Sequence, residues 1–428
     1  TTKTAVITID SYAFDSTVVR DSDLYNSYEG KKRKFFDLQE SIGQINSYAF
    51  SEATFGAINL PSFTKKIGTF ALHNVKANGI YSIRMAGSYT AYGGHYSVLN
   101  NCLYKNNDTG STIDTLLFRT KDYLGTSPSA IEASKNVKIA SATKNISPYA
   151  FDEGTGNIES IIIEGSNSIF FVENNILYKK ETISDENGNS KEIVTLLLAP
   201  KTLTGKIKIS DKTTHIANNA FKDCTNITQI TGNDSLVSVG NSAFEGCTSL
   251  VFATFKDGLK SIGRAAFKGC SALTKPTLPL SIKSLPADLF NGCTSLKMVN
   301  LPRDIEEIGD NSFNGCSNLT TIHLPNTLVD IGNNAFTGCS KLSTMTFDDD
   351  NQTYLYLNGV LYLAKVDPNT NQKYPDTLVQ AINTTSITIP KTVTNVKDSA
   401  YDSFKNLTKI SVESGNKNYS INSYGDLY

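Results

Sequence analysis

A spacing of 23 residues recurs through the middle of the chain and constrains its fold more than any other feature. Phe221, Phe244, Phe267, Phe290, Phe313 and Phe336 keep it, and so do Cys224, Cys247, Cys270, Cys293, Cys316 and Cys339. Two aliphatic columns run in step: Ile216, Val239, Ile262, Leu285, Ile308, Ile331 and Ile227, Leu250, Leu273, Leu296, Leu319, Leu342. A unit this short cannot bury several apolar positions alone, so successive units must stack and bury them against one another as a solenoid.

The clearest unit fixes the shape of one coil. Ile322 and Leu324 alternate with Thr321 and His323, the period-two pattern of a strand with one buried face. Pro325 then ends the strand because it brings no N–H to a ladder. Leu328 and Ile331-Gly332 supply a second extended piece, and Ala335-Phe336, between Asn333-Asn334 and Gly338-Cys339, reads as a short helical turn.

The 14-residue step from strand to aromatic recovers weaker copies: Phe36 to Phe50, Ile58 to Leu72, Val137 to Phe151, Ile207 to Phe221 and Ile387 to Tyr401. A truncated copy ends at Tyr12-Ala13-Phe14. Between copies lies a second element that ends in a Leu-Tyr pair, Leu103-Tyr104, Leu177-Tyr178 and Leu361-Tyr362, followed by a polar stretch and then Thr-Leu-Leu or Thr-Leu-Val. These read as β-hairpins inserted between coils. Tyr419 to Tyr428 begins a fourth, so either the chain is expected to be cut from something longer or its terminus to fray. The expected organisation is one elongated solenoid over 1–428, with irregular repeats and hairpins in 1–206, regular coils in 207–347, and a hairpin, one further coil and a truncated hairpin in 348–428.

The pattern Leu-x-x-Ile-x-Leu-Pro-x-x-Leu-x-x-Ile-Gly-x-x-Ala-Phe-x-Gly-Cys, read from Leu319 to Cys339, resembles the BspA-like leucine-rich repeats of bacterial surface proteins and some protist ones. The resemblance is tightest over 207–347. It implies a right-handed leucine-rich-repeat solenoid, β-rich with short helical turns, secreted and displayed on a bacterial cell surface, with adhesion to host matrix proteins or other cells as its role. It brings neither catalytic residues nor a cofactor.

The chemistry-bearing residues are sparse. Forty Lys+Arg against 41 Asp+Glu leave a net charge of −1, which does not suit a nucleic-acid binder. No apolar run approaches the roughly 18 residues of a membrane span. His73, His95, His215 and His323 form no H-E-x-x-H or i,i+4 pair, and no C-x-x-C, G-x-S-x-G or phosphate-binding glycine loop occurs. The cysteine column projects like side chains in one direction, and Ala53, Val75 and Phe404 replace it in weaker copies, so free buried thiols are expected rather than disulfides or zinc. Lys31-Lys32-Arg33-Lys34 reads as a solvated hairpin tip, and Asp348-Asp349-Asp350-Asn351 and the stretch 185–189 as polar turns rather than calcium loops.

What remains is surface. The outward positions of the strands read Gln229/Thr231, Phe252/Thr254, Lys275/Thr277, Met298/Asn300, Thr321/His323 and Thr344/Thr346. Threonine belongs on strands for its own sake, so Phe252, Lys275, Met298 and His323 are the candidate ligand-binding residues. A second candidate is the Tyr-, Gly- and Ser-rich segment holding Tyr89 and Tyr92. The expected function is non-enzymatic binding by a monomer to a host matrix or cell-surface protein or a glycan, without nucleic acid, metal or membrane insertion. The rival readings are a spacer that holds another domain away from the cell and, third, a hydrolase.

Overall fold

The structure, a computed structural model, describes residues 188–405 and 407–428 continuously, residues 135–147, 150–151 and 158–184, and, nearer the N-terminus, the strands and a few flanking residues between 7 and 119. Its contacts divide the chain into two compact units, one of Thr1–Lys180 with Pro200–Thr202, the other of Glu181–Ala199 with Leu203–Tyr428. Among the described residues both are β-solenoid, built from coils of about 23 residues with almost no helix.

In the second unit the periodic columns become the core. The six Phe rings are buried and stack coil on coil, with centroids 5.1, 5.2, 5.8, 5.7 and 5.5 Å apart from Phe221 to Phe336. Leu250, Leu273, Leu296, Leu319 and Leu342 are fully buried beside them. Parallel strands form the ladder over this core: Gly205–Lys208 with Ile227–Thr231 and then Phe252–Thr254, and later Thr321–Leu324 with Thr344–Phe347. A second ladder of two-residue strands runs Thr195-Leu196, His215–Ile216, Ser238–Val239, Ser261–Ile262, and resumes with Ser284–Leu285, Glu307–Ile308, Asp330–Ile331.

The turn at each aromatic differs from the helical turn expected there. Among the described residues it is an α-helix only at Ala400–Phe404; elsewhere it is a run of tight turns. A left-handed residue opens each one (Asn219, Ser242, Ala265, Asp288, Asn311, Asn334, φ 53–60°), and a left-handed residue cannot begin an α-helix. Its amides turn outward to the next coil instead, as in Asn311 N to Asn333 O (2.9 Å), Phe313 N to Ala335 O (2.9 Å) and Gly315 N to Thr337 O (2.7 Å). The coils are therefore hydrogen-bonded at the turns as well as at the strands.

The cysteine column holds free, buried thiols. Each also donates to the preceding coil, Cys247 Sγ to Phe221 O, Cys270 to Phe244 O and Cys293 to Phe267 O at 3.1 Å, Cys316 to Phe290 O at 3.2 Å and Cys339 to Phe313 O at 3.1 Å. The slot thus suits a small side chain with one weak donor. Burial pushes the Cys270, Cys293, Cys316 and Cys339 thiols up, Cys339 to about 12.

Proline explains where the ladders break. In the coil after Phe267, Pro276 stands in the inward strand column and Pro286 where Gly240, Gly263, Gly309 and Gly332 stand in other coils. Those glycines donate to the preceding coil, as in Gly263 N to Val239 O and Gly309 N to Leu285 O, both 2.8 Å; Pro286 has no N–H to give Ile262 O. At Pro276 the ladder reduces to a single bridge, Thr254 with Thr277, and Thr277 N takes Ala253 O at 3.0 Å.

The expected hairpins are three-stranded meanders. In the second unit Tyr354–Leu357 turns through Asn358-Gly359, both left-handed, into Val360–Val366, which pairs with Lys373–Ala381. The third strand then joins the short-strand ladder, Thr377-Leu378 against Asn395–Val396. The coil that carries this meander gives up its tight turn. From Ile331 to Thr344 and from Val396 to Lys409 the chain takes 13 residues, whereas from Leu378 to Ser386 it takes 8. Gln380, 2 % exposed, substitutes for part of the lost turn: its Oε1 accepts Phe336 N (3.3 Å) and its Nε2 donates to Thr337 Oγ1 (2.8 Å).

The first unit repeats these parts less regularly. Parallel ladders join Ile7–Ile9, Ile42–Ile45 and Lys66–Ile67, and Phe36–Asp37, Ala57–Leu60 and Ser82–Met85. A meander of Tyr96–Leu99, Cys102–Asn106 and Ile113–Arg119 buries Cys102, Leu103 and Tyr104, the Tyr hydroxyl accepting Ala140 N at 3.3 Å. The basic cluster lies in a hairpin, but Lys31–Arg33 form its return strand against Asn26–Tyr28 rather than its tip.

Candidate binding surface

The outward face of the strand ladder in the second unit carries the sequence-derived candidates. Register aligns Gln229 with Phe252 and Thr321 with Thr344; the single bridge from Thr254 to Thr277 carries the column on through Lys275, and the 23-residue step adds Met298. Phe252 is 50 % exposed and Met298 42 %, with exposed Lys275 on the coil between. At roughly 4.8 Å per coil the two apolar side chains stand about 10 Å apart. Their inward neighbours Ala253 and Val299 are buried, so packing fixes the direction in which Phe252 and Met298 point.

His323 belongs to the adjacent outward column and is engaged on both sides. Its Nδ1 lies 3.0 Å from Thr346 Oγ1 and its Nε2 2.9 Å from Asp348 Oδ1. Asp348 Oδ2 accepts Asn326 N at 2.9 Å, and Asn326 Nδ2 reaches Asp350 Oδ2 at 2.6 Å. The hydrogen bond from Asn326 N, then that from His323, holds the Asp348 carboxyl below its usual range. Asp348 and Asp350 thus spend their side chains on the coil before them, and Asn351 starts the meander through its own turn.

The order Thr346, His323, Asp348 has the connectivity of a nucleophile, base and acid. His323 and Asp348 are nevertheless 56 % and 38 % exposed at their side chains, so water competes for every bond in the chain. The arrangement clasps the coil at 321–324 to that at 344–350. Among the described residues no three or more His, Cys, Asp or Glu side chains gather as metal ligands. Tyr89 and Tyr92, the other sequence-derived candidates, lie outside the described residues.

One recurrent feature escaped the sequence reading. Asn167, Asn351 and Asn416 each stand three residues before the first aromatic of a hairpin, Phe170, Tyr354 and Tyr419. Each side-chain oxygen accepts the amides two and three residues on, at 2.8–3.1 Å. The signal Asn-x-x-Phe/Tyr was present in the sequence. Asn416 Nδ2 also donates to Pro390 O (2.8 Å) and Val393 O (3.3 Å), tying the turn to the preceding coil.

The model of the BspA type leucine rich repeat region matches residues 24–107, 201–302, 260–356 and 367–425, well over half of the 428 residues. The chain belongs to this family. Leucine-rich-repeat solenoids of this kind are typically non-catalytic. Among solved structures, the chain is similar to a leucine rich cell surface protein from Faecalibacterium prausnitzii, at 21 % identity and a TM-score of 0.44 over 72 % of this chain and 64 % of that one. It therefore spans somewhat less than two thirds of that relative's length. A leucine-rich repeat protein from Eubacterium ventriosum (19 % identity, TM-score 0.47, 78 % and 73 % covered) and the pneumococcal vaccine antigen PcpA (16 %, 0.46, 95 % and 84 %) are similar at the same level. No curated protein matches the chain. No helix among the described residues is long and apolar enough to cross a membrane.

Proposed function

We propose that this chain is a cell-surface binding protein that acts in adhesion, and that its outward strand face engages a protein partner. The observation that carries the reading is the column Phe252, Lys275, Met298, two large apolar side chains exposed on either side of a cation on a face whose other outward positions are polar and mostly threonine. Exposed aromatic and thioether groups are the residue types that anchor protein interfaces, and a flat multi-coil ladder offers the roughly 800 Å² per partner that a stable interface needs. Membership of the BspA type family and the surface location of the Faecalibacterium relative support display on a bacterial surface.

Binding of the purified chain to immobilised fibronectin and fibrinogen, at physiological salt, tests the reading. The double variant Phe252→Ser/Met298→Ser should lose at least tenfold in affinity while its thermal unfolding is unchanged, because both side chains are outside the core. A spacer would bind neither protein and would tolerate the substitutions without consequence.

A further inference from the structure

The tight turn omitted from the meander coil leaves a cleft. Regular coils stack their turns at one coil spacing, but the turn of Asn333-Asn334 is followed by that of Asp398 to Asp402, with the shortened coil between them. The two turns therefore stand about two spacings, roughly 10 Å, apart. Gln380 fills the inner part of the gap. The outer part is an open cleft of 610 Å³ lined by Asn333, Asn334, Lys397, Asp398, Ser399 and Asp402, within the roughly 300–1,000 Å³ of small-molecule sites.

Some of these side chains are already spent. Asn334 Nδ2 donates to Asp402 Oδ2 across the gap at 3.2 Å, and Lys405 Nζ holds Asp402 Oδ1 at 2.8 Å. Others are not. Among the described residues the Asn333 amide and the Asp398 carboxylate make no side-chain hydrogen bond, and the Ser399 hydroxyl does not cap the helix it precedes. Among the described residues Lys397 Nζ makes one ion-pair contact, a long one of 3.9 Å to Asp330. The free groups thus offer acceptors (Asp398, Asn333, Ser399) and donors (Asn333, Ser399, Lys397) side by side, with charges close to balance.

We propose that this cleft is a carbohydrate site that receives one neutral pyranose unit of a glycan in the place of the omitted turn. Vicinal hydroxyls each donate and accept, which matches a wall that mixes amide, carboxylate and hydroxyl. Near-balanced charge disfavours a phosphate or a polyamine, each of which needs an excess of one sign. The cleft is open, so a single unit should bind weakly, with Kd about 1 mM, and multivalent display would supply the avidity. The site is separate from the strand face and does not depend on a protein partner there.

The test is a glycan array probed with the purified full chain, followed by titration of the best neutral oligosaccharide by NMR line broadening. Sialyllactose and inorganic phosphate serve as anionic comparators. Expected is saturable binding of a neutral glycan that falls at least tenfold in Asp398→Ala and in Asn333→Ala, both with unchanged thermal unfolding, and that persists in Phe252→Ser/Met298→Ser. No neutral glycan bound at 10 mM or below, on the roughly millimolar scale set above, overturns the proposal. So does binding indifferent to the cleft variants, or binding confined to the anions. Loss in the strand-face variant alone would assign the glycan to that face and equally overturn it.

Discussion

Replacing Phe290 with Ala tests the claim that the aromatic column staples the coils together. Phe290 is fully buried and stacked on both sides, 5.8 Å from Phe267 and 5.7 Å from Phe313. A buried Phe→Ala change costs about 3–5 kcal/mol, the upper end applying where the site cannot collapse. Here collapse is resisted, because the turn around Phe290 is hydrogen-bonded to the next coil through Asp288 N (2.8 Å), Phe290 N (2.8 Å) and Gly292 N (2.7 Å). We therefore expect about 4–5 kcal/mol. Phe290→Leu keeps most of the volume and loses two ring pairs, each worth about 0.5–1.5 kcal/mol, so it should cost about 1–3 kcal/mol. Urea unfolding followed by far-ultraviolet circular dichroism reads both. In a solenoid each coil contacts only its neighbours, so the Ala variant should also broaden the transition as the flanking coils uncouple. A cost below about 1.5 kcal/mol for Phe290→Ala, or an equal cost for the two variants, would refute the stacking argument.

Gly263→Ala would drive a Cβ into the backbone of Gly240 and Asn241, so the coils must move apart, weakening Gly263 N to Val239 O and Arg264 N to Asn241 Oδ1, both 2.8 Å; a loss of about 2–4 kcal/mol is expected, against about 1–2 kcal/mol for Gly415→Ala, whose Cβ meets nothing but whose left-handed backbone (φ 92°) disfavours alanine. Ellman's reagent at pH 8 should label none of the seven cysteines in the native chain and all of them in denaturant; rapid native labelling of several would show that the column is not sealed. Asp288 is desolvated, which alone would raise its pKa, yet hydrogen bonds from Asn291 (2.9 Å) and Arg264 (2.8 Å) hold it below the usual carboxylate value. Its stabilisation is therefore full above about pH 4 and lost as the pH falls through the lowered folded value, so Asp288→Ala should cost about 1–3 kcal/mol at pH 7 and little at pH 2; an equal cost at both would contradict the assignment. Hydrogen exchange should be faster at 275–278 and 298–301 than at 321–324 and 344–347, since the former lie where Pro276 reduces the ladder to one bridge.

The parts of this fold that were legible in the sequence are those in which one residue type repeats for one reason. Phe and Leu columns name the core, Asn-Gly at 358–359 names a tight hairpin, and Cys in a column rather than in pairs names a buried thiol. The turn reads as helical in the sequence because Ala-Phe between polar residues satisfies a helix as well as a ladder. The deciding fact is the left-handed residue two positions before each Phe, variously Asn, Ser, Ala or Asp, and Ala265 gives no hint of it. The ladder breaks were readable from Pro276 and Pro286. The cleft was not: it follows from five fewer residues between Leu378 and Ser386 than between the matching positions of a regular coil, which shows only once the meander's third strand is paired with Asn395–Val396. Nor could the sequence tell that His323 is tied to Thr346 and Asp348 rather than free for a ligand.

A stacked repeat leaves little room for function in its regular positions. Inward columns are committed to the core, glycine columns to close backbone approach, and turn amides to the next coil. Variation is tolerated in two places, the outward strand positions and the coils that depart from the pattern. Both proposed sites fall there. Lys275 precedes Pro276 and lies between Phe252 and Met298, so the candidate protein-binding column runs from a paired strand into the stretch where the ladder is thinnest. The cleft at Asn333 and Asp398 sits where a coil has exchanged its turn for a meander and left polar groups facing a gap of about one coil. Because the chain stays in register on either side of both interruptions, neither alteration disturbs the stack, and the two surfaces can differ in ligand while sharing one scaffold.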